Sequence, residues 1–105
     1  MAVKHKIEHD LDLDLAKRAV NKAMEGYSER FADYNPCFDW VSDMQGRFSF
    51  KAKGVSVKGE LEILPSLIQV DVDVPFLLRM FKGRAIEVID KEVRKWVERA
   101  KNGEI

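Results

Sequence analysis

Few residues of this chain are of types that carry chemistry, and their spacing works against joint action. His5 and His9 alternate with Lys4, Lys6 and Glu8, the period-two pattern of a strand. Four strand residues span about 13 Å, so the two imidazoles cannot share one ion unaided. A metal needs three or four converging ligands, and only Asp10 stands nearby. Cys37 is the one cysteine, which excludes an internal disulfide and a cysteine cluster; after Pro36 and before a strand, it reads as a small buried thiol. No Gly-x-Ser-x-Gly elbow occurs, and no glycine-rich loop follows a strand. Glu60 and Asp71 fall on a wet strand face without a cleft. The chain is therefore expected not to be an enzyme, with no catalytic, cofactor-binding or metal-ligating residue and no cofactor.

One segment carries more apolar surface than a fold requires. Phe76, Leu77, Leu78, Met80 and Phe81 put five apolar residues in six positions. A helix with a single buried stripe cannot turn all of them inward. Phe76, Leu77, Met80 and Phe81 are the candidate interaction surface, flanked by Arg79, Lys82 and Arg84. The competing expectation is a kinked entry into the last helix that buries them all.

The rest of the chain reads as the frame that positions these residues. Val3 to His9 form an opening strand. Asp12 or Asp14 can cap a helix whose apolar face is Ala16, Ala19, Val20, Ala23, Met24, Tyr27 and Phe31. Asn35-Pro36 ends it by Tyr34. Four strands follow, with Phe38 and Trp40, then Phe48, Phe50 and Ala52, then Val55, Val57, Gly59, Leu61 and Ile63, then Ile68, Val70, Val72 and Val74 alternating onto one face. A two-residue loop at Pro65-Ser66 sets Leu61 opposite Val70, and one at Lys53-Gly54 sets Phe50 opposite Val57. A loop at Met44-Gln45-Gly46 sets Trp40 opposite Phe50. A closing helix carries Ile86, Ile89, Val93, Trp96, Val97 and Ala100 on one stripe, either continuous through Gly83 or starting after it, and Asn102-Gly103 stops it. Trp40 and Trp96 are both expected on core faces. The architecture is one α+β domain spanning 1–105, β-α-β-β-β-β-α, an antiparallel meander with both helices on one face, helix-grip-like in shape.

Composition sets the outer bounds. Of 105 residues, 46% are hydrophobic and 34% charged, which is globular rather than disordered. Eighteen bases balance eighteen acids, so no net field steers the chain to nucleic acid. From Arg79 to Lys101 eight bases face four acids, the pattern of a solvated helix face laced with ion pairs. The start MAVKHKIEHD has no apolar signal core, and no run approaches a membrane span. A cytoplasmic location is expected.

The order and spacing of these motifs resemble the polyhydroxyalkanoate (polyhydroxyalkanoic acid) system protein family, small bacterial proteins tied to granules of that storage polyester. His9-Asp10-Leu11, with Ala16 soon after, is similar to the family's His-x-Leu entry into its first helix. Trp40, Asp43, Phe48 and Phe50 match a tryptophan–aspartate–aromatic strand pair, and Gly54-Val55-Ser56-Val57-Lys58-Gly59 a glycine-valine hairpin. Val74-Pro75 with Leu77-Leu78 leads into Phe81-Lys82-Gly83. Asp12 departs from the glycine usual after His-x-Leu, and the Cys37 region is longer than usual. The resemblance implies a granule-associated protein and carries over no catalytic residue. The function expected is non-enzymatic binding to the granule surface, a granule protein or a second copy of the chain. The alternatives are a carrier of a small apolar ligand between sheet and helix, or an enzyme.

Overall fold

The computed structural model describes residues 2–52, 54–74 and 82–105. Strand β1 (Ala2–Glu8) is followed by helix α1 (Leu13–Arg30), a 3-10 turn (Ala32–Tyr34) and strands β2 (Cys37–Trp40), β3 (Gln45–Ala52), β4 (Val55–Ile63) and β5 (Leu67–Asp73), and then by helix α2 (Lys82–Lys101). This is the expected β-α-β-β-β-β-α order. All strand pairs are antiparallel, in the spatial order β1-β5-β4-β3-β2. The opening strand, which the sequence does not place, thus lies beside the last one, and β1 and β2 form the two edges.

Local chemistry sets each boundary. Asp12 caps α1, its carboxylate accepting the Leu15 N–H. Asn35 takes a left-handed φ of 50° after the 3-10 turn, a conformation asparagine tolerates. Gly103, at φ 75°, closes α2: its N–H reaches the Ala100 carbonyl while the Glu104 N–H reaches that of Arg99. Gly83 lies within α2 without ending it.

Both hairpins with a clear turn signal have the expected register. Phe50 stands opposite Val57 and Phe48 opposite Gly59; Leu61 stands opposite Val70 and Lys58 opposite Asp73. A Cβ on Gly59 would overlap the Phe48 ring, so the bare glycine is what lets that ring lie flat on the sheet. The β2–β3 hairpin differs. Trp40 pairs with Gly46 and Phe38 with Phe48, four residues out of the expected register. Gly46 is a strand residue rather than a turn residue: a Cβ there would come 2.7 Å from the Phe38 ring, and the bend instead falls at Ser42–Met44, with the Val41 N–H on the Gln45 carbonyl. A slip of four is even, so every side chain keeps its expected face.

One face of the sheet and both helices enclose a single apolar layer. Ile7, Val20, Ile68, Val70, Val72 and Val93 are fully buried there. Each side chain of this kind stabilises the fold by about 1.5–3 kcal/mol relative to exposure. From α2, Ile89, Val93, Val97 and Ala100 face inward at three-to-four spacing. From α1 come the small residues Ala16, Ala19 and Ala23, which let the helices approach closely. Trp40 and Trp96 pack against this layer but are only half-buried, at its rim rather than its centre.

Candidate functional site

The inner layer also holds the polar groups that sequence spacing singled out, and each is tied to a partner. His9, 8% exposed, accepts the Leu11 N–H at Nδ1 (3.1 Å) and donates from Nε2 to the Leu64 carbonyl (2.8 Å). The two bonds fix one tautomer and use both ring nitrogens, clipping the start of α1 to the β4–β5 turn. His5 places Nε2 2.6 Å from Asp90 Oδ1 on α2. Arg94 grips the same carboxylate from the next helical turn, with Nε at 3.0 and 2.8 Å from its two oxygens. Burial pushes the Asp90 carboxyl up, but the hydrogen bonds and charges of His5 and Arg94 outweigh it and hold it below the ordinary value. The two histidines therefore serve two separate joints.

A third polar joint was not read from the sequence. Glu92 is 4% exposed between the helices, with Oε2 3.2 Å from Arg30 and Oε1 3.2 Å from the Trp96 indole nitrogen, which donates to it. Gly26 makes room for it: a Cβ at that position would stand 2.6 Å from Oε1. The signal available was a glycine in mid-helix with no turn to explain it, together with an acid set between Ile89 and Trp96 at inward spacing.

Cys37 is exposed, contrary to the buried thiol expected. It alternates with the half-buried Phe38 and Trp40 and so points to the wet face. Glu60 and Asp71 also lie on that face and stand directly opposite each other, between Lys4 and Arg47 in register. They border an open depression of about 230 Å³, also lined by Gln45 and Gln69, and Asp71 Oδ1 is buried without a hydrogen-bond partner. Among the described residues no group of three or more His, Cys, Asp or Glu is arranged to hold a metal. The candidate interaction residues Phe76, Leu77, Met80 and Phe81, with Arg79, lie outside the described residues.

Aromatic side chains gather at the β2 end of the molecule. Tyr27 and Phe31 on α1 are 4.9 Å apart between ring centroids, Phe31 and Tyr34 are 6.0 Å apart, and Phe38 meets Trp40 edge-on at 5.1 Å. Burial, and secondarily Tyr34, pushes the Tyr27 hydroxyl up to about 12, so that ring is a neutral packing group at any physiological pH. The Trp40 indole donates to Asn21 at 3.1 Å while Lys17 lies over its ring and reaches Asp43.

A family model described as "Putative polyhydroxyalkanoic acid system protein" matches residues 3–97. The chain belongs to this family. The match takes in every motif that carries the resemblance, including the segment between β5 and α2. No curated protein matches the chain. Among solved structures, the crystal structure of Ara h 8.0201 is similar, at 13% identity and a TM-score of 0.53 over 92% of this chain and 97% of that one. TTHA0849 from Thermus thermophilus aligns over the full length of both chains at 11% identity, with a TM-score of 0.45. At such identity the first likeness establishes the fold, an α+β arrangement similar to Bet v1-like structures.

Proposed function

We propose that this member of the polyhydroxyalkanoic acid system family is a non-enzymatic, cytoplasmic binding protein that docks on the storage granule or on a granule protein through Phe76, Leu77, Met80 and Phe81. The observation that carries this reading is the state of the inner layer. Its described positions are buried apolar side chains, and its polar groups His5, His9 and Glu92 are each committed to an intramolecular partner. An interior occupied, in its described part, by the chain's own side chains supports binding at the surface. In sequence, the stretch between β5 and α2 is the part densest in apolar residues. No described helix is long and apolar enough to cross a membrane, so attachment would be peripheral.

Co-sedimentation with isolated polyhydroxyalkanoate granules tests the reading. Wild-type protein is expected in the pellet, and Met80→Asp and Leu77→Asp in the supernatant with unchanged melting. Salt should weaken the binding modestly through Arg79, Lys82 and Arg84. Wild-type protein that stays in the supernatant, or variants that still pellet, overturn the docking. A small apolar molecule retained in native mass spectrometry would replace it with ligand carriage.

A further inference from the structure

At the β2 edge the sheet ends in a row of outward-facing backbone groups carried by half-buried apolar residues. In the β2–β3 ladder the Val41 N–H bonds to the Gln45 carbonyl, and Val41 stands opposite Gln45 in register. Hydrogen-bonded pairs alternate along an antiparallel ladder, so Asp39 and Cys37 also turn their backbone groups toward β3. The Ile63 N–H on the Met44 carbonyl gives the same phase from the β4 side, since it turns the even residues of β3 toward β4 and the odd ones toward β2. The backbone groups of Pro36, Phe38 and Trp40 therefore point outward, and no described strand lies beyond them. Two of the three exposed large hydrophobics of the described chain flank this strand, Tyr34 at 46% and Val41 at 54%.

We propose that β2 is a self-pairing edge, and that two copies of this chain join there across a two-fold axis at Phe38 into one continuous sheet. Matching faces across such an axis restricts the pairing to registers in which a residue meets one of the same parity. Centring on Phe38 satisfies both faces. On the apolar face Phe38 meets its own copy and Pro36 meets Trp40, an all-apolar row of half-buried side chains. Phe38 N–H and carbonyl bond reciprocally with those of the copy, and each Trp40 N–H meets the Pro36 carbonyl opposite, making four hydrogen bonds. The only donor missing is the one that proline lacks. On the wet face Cys37 meets Asp39. The neighbouring register, centred on Asp39, would also form four bonds but would set the two Asp39 carboxylates directly opposite each other, so charge decides between them. The strand is short, and the association is expected to depend on concentration.

The register can be trapped chemically. Cys37 and Asp39 of opposite copies form a non-hydrogen-bonded pair, about 4.5 Å apart at Cα, within disulfide range. The two native Cys37 thiols are diagonal to each other and out of reach. Wild-type protein is expected to sediment at twice the 12.1 kDa chain mass at high protein concentration. Asp39→Cys, an exposed position, should convert under mild oxidation to a covalent dimer whose peptide map joins Cys37 to the thiol introduced at position 39. Val41→Cys keeps the Asp39 charge and would face Cys37 only in the register centred on Asp39, so it should not cross-link. Glu60→Cys, on the same face but away from the edge, controls for random collision. A monomer at every concentration overturns the proposal. A dimer without the cross-link, or one that Glu60→Cys links equally well, overturns the edge and its register. Met80→Asp should leave this dimer intact, so the outcome is independent of granule docking.

Discussion

The two edges of this sheet are built on opposite principles. Along β1 the outward backbone belongs to Lys4, Lys6 and Glu8, since Val3, His5 and Ile7 turn theirs toward β5, in phase with the His9 N–H on the Ser66 carbonyl. A second β1 approaching that edge would bring lysines against charged residues, which is how natural sheets discourage edge pairing. Inside, β1 is anchored by the fully buried Ile7 and by His5 on Asp90. Along β2 the outward backbone belongs to a proline and two aromatics, and the inner anchors Phe38 and Trp40 are only half-buried. An edge that is charged outside and firmly anchored within is closed; one that is apolar along its rim and lightly anchored can accept a partner.

The contrast in anchoring predicts the largest effect. Ile7→Ala should cost about 2–5 kcal/mol, the range for emptying a fully packed site. Phe38→Ala removes a larger side chain but from a half-buried place, and should cost about 2 kcal/mol or less, below the fully buried aromatic range. Chemical denaturation of both variants measures the difference. Equal losses would show that the two edges are anchored alike.

A smaller effect isolates the contact that holds β2 down. A Cβ on Gly46 would come 2.7 and 2.9 Å from two carbons of the Phe38 ring, so Gly46→Ala should cost about 1–3 kcal/mol by overpacking. Combined with Phe38→Leu the loss should shrink, and a double-mutant cycle should report coupling of about 1 kcal/mol. Additive losses would mean that Gly46 is needed for its backbone alone.

The same glycine marks where the sequence stops being legible. Gly54, with φ 77°, and Pro65-Ser66 mark tight turns, and alternation then fixes two registers. Gly46 carries the same letter but serves side-chain clearance, and nothing local tells one role from the other. The faces survive because the resulting slip is even. Cys37 shows the reverse case: the alternation of β2 already put it on the wet face, and the apolar character of the thiol argued wrongly against the period. The partners in the inner polar joints were beyond reach, even where Gly26 in mid-helix hinted at one. His5 meets Asp90 across 85 residues and Arg30 meets Glu92 across 62, and in a single chain each reads as one more charge on a solvated face. The family motifs, by contrast, are local strings, and they were legible without the fold.

The smallest predicted effect concerns pH and separates the edges once more. The β1 edge is tied to α2 by a titrating group, whereas the Trp40 indole at the β2 edge is tied to the neutral amide of Asn21. The Asp90 carboxyl is pushed up by burial but pulled further down by His5 and Arg94, so its value in the folded protein lies below the ordinary 3.8. A carboxyl lowered on folding stabilises the fold above its unfolded value and loses that contribution as pH falls through its folded value. The contribution is therefore whole from neutrality down to about pH 4 and fades only below it. Asp90 keeps about a fifth of its side chain exposed and Arg94 about half, so solvent screening limits the tie to about 0.2–1 kcal/mol. Asp90→Asn should lower stability by that amount at pH 7 and converge on wild type in strong acid. Amide exchange resolves where the loss falls: protection of the β1 edge should decline with acid in the wild type and be flat in the variant, while β2 follows the same course in both. A variant whose deficit persists unchanged below the folded value would show that Asp90 acts through packing rather than charge, and the two edges would then differ only in what they bury.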